Sequence, residues 1–152
     1  MPHDSLLSAA FGNHSAPHFH QHWSVGISCL FLSAPLPLFF AHGDTLLACF
    51  NMLVTACSVM ADYLYINTVC DDVDRFVAAS YIAYLLFLSF LNNGTLWTIA
   101  NFTFLVLTPF CYSRNSRSKE QWQFRHALWH YVCGLNQVLI MYGVYHASKQ
   151  LQ

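Results

Sequence analysis

The chain has 152 residues, of which 56% are hydrophobic, 16% aromatic and only 9% charged, with a formal net charge of −1. A soluble domain is nearer a quarter charged, so this composition implies an all-α integral membrane protein with almost no extramembrane domain. It excludes a nucleic-acid interface, because a phosphate-binding surface needs a dense Lys/Arg footprint.

Residues 1–22 form a polar arm holding His3, His14, His18, His20 and His22. The arm has no basic region leading into an apolar run and no Arg-rich targeting pattern, so it reads as neither a secretory signal nor a transit peptide. Weak metal binding is open to such a stretch, and a solvated tail is the simpler reading.

Residues 23–148 carry the apolar segments. A bilayer core ~30 Å thick needs ~20 apolar residues per helix, and residues 45–66, 75–91, 95–112 and 126–146 meet this. Residues 23–41 are apolar enough, but Pro35 and Pro37 remove backbone donors and should kink or break the helix. The expectation is an antiparallel bundle of about five transmembrane helices, or four if residues 23–41 do not span. The connections at 42–44, 67–74, 92–94 and 113–124 are short, which forces antiparallel neighbours. Residues 149–152 are a short tail. Cys29, Cys49, Cys57, Cys70, Cys111 and Cys133 fall mostly inside apolar runs with no CxxC spacing, and read as small buried hydrophobes.

Charge sets the expected orientation. With five spans, Arg75, Arg114, Arg117, Lys119 and Arg125 share the side of the N-terminus, and only Lys149 lies opposite. The positive-inside rule then puts the N-terminus inside, in an endomembrane or the mitochondrial inner membrane. The sequon Asn93-Gly94-Thr95 falls on the outer side, as its use requires. Trp23, Trp97 and Trp122 lie near helix ends, where interfacial aromatics belong.

The last apolar stretch opens with Arg125-His126-Ala127-Leu128-Trp129-His130. Histidines four apart on a helix lie one above the other, and ionisable groups at membrane depth are costly and usually functional. Helix alternation brings them to the inner face together with Ser58, Asp62 and an aspartate from 72–74. Asp62, His126 and His130 make a three-ligand set for zinc, with the fourth position left to water. Metal-bound water has its pKa lowered towards ~7. Asp72 or Asp74 would serve as general base, and Ser58, one turn before Asp62, as a donor to an oxyanion.

Each residue also has a plainer reading. The histidines can bond carbonyls, headgroups or a neighbouring subunit. Asp71, Asp72 and Asp74 favour a helix N-terminus by capping and dipole. Asp62 can pair with Arg75 or Arg125, and Ser58 can fill a close helix contact. Two histidines on one helix cannot clasp a single haem, and no cysteine set resembles an iron–sulfur arrangement.

The order Ser58-x-x-x-Asp62, then Asp72 or Asp74, then His126-x-x-x-His130 resembles the alkaline ceramidase/adiponectin-receptor (CREST) superfamily over about half the chain. The resemblance implies a seven-helix membrane protein that holds zinc with three histidines and hydrolyses lipid amides. This chain departs twice: Asp62 stands where the family has its first zinc histidine, and five helices replace seven. Loss of one helical hairpin would preserve the topology's parity, and aspartate also ligates zinc. The alternative reading is a non-catalytic accessory subunit of a large membrane complex (respiratory chain, ATP synthase or photosynthetic assembly), whose partners would be lipids and other subunits.

Overall fold

A computed structural model describes residues 18–19, 22–66, 68–104 and 118–150, and within them the chain is almost wholly helical. The first apolar segment is broken by its prolines. Helix α1 (Trp23–Leu30) tightens into a 3₁₀ turn at Phe31–Ser33 and restarts as α2 (Leu36–Ala41). Pro35 caps the second piece, its carbonyl accepting from the Leu38 and Phe39 amides, because a proline cannot donate to the turn before it.

Gly43, at φ +71, supports the tight turn into α3 (Thr45–Val59). That helix widens into a π turn at Met60–Leu64, where the Tyr65 amide reaches back to the Met60 carbonyl. Single π turns of this kind are rare and recur at functional positions. The next two residues, β2 (Tyr65–Ile66), pair antiparallel with β1 (His18–Phe19), in the register His18 with Ile66 and Phe19 with Tyr65. Part of the arm expected to be a solvated tail is thus tied by its backbone to the end of the first hairpin.

Helix α4 (Val69–Asn93) starts within the stretch expected to be a loop at 67–74. The Thr68 hydroxyl caps it by accepting from the Cys70 amide, and Asp71 and Asp72 sit in its first turn, where the helix dipole favours negative charge. Gly94, at φ +82, divides α4 from α5 (Thr95–Phe102). The span expected at 95–112 lies partly outside the described residues. Helix α6 (Lys119–Gln150) also begins earlier than expected, because the Ser118 hydroxyl accepts from the Gln121 amide and starts the helix in polar sequence. His126 is therefore in its second turn rather than at its start.

Three segments, Trp23–Ala41, Thr45–Leu64 and Val69–Asn93, are long and apolar enough to cross a membrane. Helix α6 is longer but more polar. It packs against α4 and α1, and α3 packs against α4. The apolar centre is built from Phe39, Leu85, Ile140 and Met141 around the fully covered ring of Tyr81. Polar side chains share this interior: Ser28, Asn51, Ser89, His130 and Gln137 are buried, while Leu46, Phe76 and Leu96 are among the most exposed. At one end of the molecule the Tyr145 hydroxyl donates to Asp44 Oδ2 at 3.0 Å and the Asn93 amide donates to the Ile140 carbonyl. The acids and histidines of the candidate site collect at the other end.

Candidate metal centre

Four helical pieces supply the site. Asp62 comes from the π turn that ends α3, Asp74 from the second turn of α4, His126 and His130 from successive turns of α6, and Ser28 with Cys29 from α1. Asp62 Oδ2 lies 3.0 Å from His126 Nε2 and 3.4 Å from His130 Nε2. One carboxylate oxygen thus faces both imidazoles. The two histidine side chains are 9% and 2% exposed, and that of Asp62 is 19% exposed.

Both rings are clamped. His126 stacks on Trp122 with centroids 4.4 Å apart, and meets the edge of Trp129 at 5.3 Å. The Trp122 expected at the interface therefore serves as a wall of this site. His130 Nδ1 is 2.9 Å from Ser28 Oγ and 3.6 Å from Cys29 Sγ. Behind them Gly26 lets the Tyr63 ring close onto α1, since a Cβ there would come within 3.0 Å of it.

Ser58 and Asp62 engage different helices. The Ser58 hydroxyl donates to Asp74 Oδ1 at 2.7 Å on α4, whereas Asp62 faces α6. The single hydrogen of Ser58, expected from sequence to serve an oxyanion, is directed to Asp74 in this arrangement. Of the two candidate aspartates, Asp74 is the one that meets Ser58. Asp72 stands two residues earlier, about 200° around the helix from Asp74, so the two cannot point at the same partner.

Cys29, Asp62 and His130 form a buried group whose donor atoms lie within 4.8 Å of one another, close enough to hold a metal ion. Asp62, His126 and His130, the set read from sequence, overlap it at two residues. A structural observation tests the fit. His126 Nε2 is buried and, despite its short distance to Asp62, makes no well-directed hydrogen bond among the described residues. A buried ring nitrogen left in that condition is costly unless a cation or proton meets it. Two imidazoles and a carboxylate suit zinc, and a thiolate would suit it equally.

Sequence reasoning missed Ser28 and Cys29. Each is a small residue inside an apolar helix with no motif around it, so no signal in the sequence marks them. Comparison with protein-family models, with curated proteins and with solved structures found no match.

Proposed function

We propose that the chain is an integral membrane protein, an antiparallel helical bundle of the ceramidase/adiponectin-receptor type, with a zinc site at its inner face that hydrolyses lipid amides. The observation that carries this reading is the approach of two clamped imidazole nitrogens to one oxygen of Asp62, at 3.0 and 3.4 Å. The membrane part is supported by the inverted polarity of the chain. Asn51, His130 and Gln137 are turned inward while Leu46 and Phe76 face out, as expected where the surroundings are hydrocarbon.

Asp62, His126 and His130 would hold the cation, with Cys29 beside them. Zinc bound there supplies Lewis acidity towards a carbonyl oxygen and makes water a better nucleophile at neutral pH. Asp74 is the remaining carboxylate. The Ser58 hydroxyl donates to its Oδ1, and on this reading Asp74 would accept a proton from attacking water and pass it to the leaving amine. A lipid substrate is supported by an open groove of about 390 Å³ between Leu30 and Ser33 on one side and Met52, Ala56 and Val59 on the other. The groove is almost wholly apolar and suits an acyl chain.

The test uses the full chain purified in detergent. Elemental analysis should find one zinc per chain, and mixed micelles of an N-acyl sphingosine should release free fatty acid. Both should be lost in the His126→Ala/His130→Ala double variant. A chain that takes up no zinc at neutral pH overturns the site. Zinc binding without amide hydrolysis overturns the hydrolase and leaves a metal-holding membrane subunit.

A further inference from the structure

The contacts of Ser28 determine which nitrogen of His130 is available. Ser28 is fully buried on α1, and its hydroxyl donates to the Val25 carbonyl at 2.7 Å. A hydroxyl has one hydrogen, so towards any other neighbour Ser28 Oγ can only accept. That neighbour is His130 Nδ1 at 2.9 Å. The other atom near Nδ1 is Cys29 Sγ, at 3.6 Å, and the thiol donates its hydrogen to the Ser58 carbonyl. Both atoms facing Nδ1 therefore present lone pairs to it.

We infer that Ser28 is a positioning residue that locks His130 as its Nδ1–H tautomer, aiming the Nε2 lone pair at the point shared by Asp62 and His126. The Nδ1–H donates to Ser28 Oγ, with Cys29 Sγ as a weaker second acceptor. In the neutral ring Nε2 is then bare, and it lies 3.4 Å from an oxygen that is itself an acceptor. Two acceptors facing each other inside the protein repel unless a cation stands between them. Metal-ligating histidines are commonly oriented this way, by a hydrogen bond from the ring nitrogen that does not ligate. The helix pair α1–α6 thus contributes more than packing, because it sets the chemistry of a ligand carried by α6. The purpose assigned to the tautomer rests on the metal-site reading above, whereas the tautomer itself does not.

The experiment is long-range ¹⁵N–¹H correlation on the full chain labelled at histidine, metal-free in detergent micelles, at a pH where the ring is neutral. The His130→Asn variant assigns the signals. His130 should show a protonated Nδ1 and an unprotonated Nε2. Ser28→Ala should shift it towards the Nε2–H form, and Ser28→Thr, which keeps the hydroxyl, should restore the first. Ser28→Ala should also weaken zinc binding by about 10- to 100-fold. An Nε2–H ring in the unaltered chain overturns the inference, as does a Ser28→Ala spectrum that does not change. If the Nδ1–H tautomer is found but added zinc fails to move the His130 signals, the inference stands and the metal-site reading fails.

Discussion

The Nε2 atom of His126 stands 3.0 Å from Oδ2 of Asp62, across a helix contact that joins the end of α3 to the second turn of α6. The same oxygen faces His130. Asp62→Asn keeps the shape of the side chain and removes its charge. Zinc affinity, read by competition with a chromophoric chelator, should fall by more than about 100-fold, beyond the loss expected of an outer hydrogen-bonding partner. Helical circular dichroism should be unchanged. Retained affinity would take Asp62 out of the site.

Two glycines hold the site's supports together, and their substitution should separate stability from metal binding. A Cβ on Gly134 would collide with the carbonyl oxygen of Phe31 and with its ring, so α6 would have to move off the 3₁₀ turn. Gly134→Ala should cost about 1–3 kcal/mol in unfolding by a denaturing detergent, the usual range for overpacking. At Gly26 the nearest atoms to the added carbon are side-chain atoms of the Tyr63 ring, at 3.0–3.1 Å, rather than a backbone carbonyl oxygen as at Gly134. Gly26→Ala should be the milder change in stability, yet it should weaken zinc binding because Tyr63 adjoins Asp62 in the π turn. Equal unfolding costs for the two would contradict this account.

What the sequence made legible follows from periodicity and backbone chemistry. The break at Pro35 and Pro37 is readable because proline has no amide hydrogen. The ends of the apolar stretches indicate which helix termini carry polar residues, which is why Asp62, His126 and His130 could be named together. Distances within that group are not readable, since they depend on how far each helix is rotated. The π turn is a case in point: nothing in Met60–Leu64 announces it, and across it Ser58 faces α4 while Asp62 faces α6. The early start of α6 had a readable signal in the pattern Ser118-x-x-Gln121, a capping arrangement that its polar surroundings obscured. Ser28 and Cys29 had none. Their roles come from helix contacts made by residues a hundred positions away.

Asn51 is fully buried, and its amide nitrogen lies 3.0 Å from the Leu32 carbonyl, 3.0 Å from the Tyr81 hydroxyl and 3.1 Å from Gln137 Oε1. It ties the proline-broken segment to α4 and α6. Hydrogen bonds between membrane helices average about 0.6 kcal/mol, and truncating a buried side chain adds a cavity cost. Asn51→Ala should therefore destabilise by about 2–4 kcal/mol, while Tyr81→Phe, which removes one contact and little volume, should cost about 0.6 kcal/mol. Detergent unfolding curves that show the two variants equally stable would mean that Asn51 does not join these elements.

The sequon at Asn93-Gly94-Thr95 should stay unmodified even when the chain is made in a glycosylating host. The Asn93 amide nitrogen, the atom a glycan would occupy, donates to the Ile140 carbonyl at 3.3 Å. The same amide lies so close over Gly143 that a Cβ there would meet its oxygen at 2.7 Å and its nitrogen at 3.0 Å. Attachment would require α4 and α6 to part at this end. The expected result is no mobility shift on endoglycosidase treatment, and a shift abolished by Asn93→Gln would refute the packing. Because helix contact suffices to protect Asn93, an unmodified sequon here says nothing about which side of a membrane it faces. Orientation has to be read from a reporter placed at the arm, ahead of Trp23.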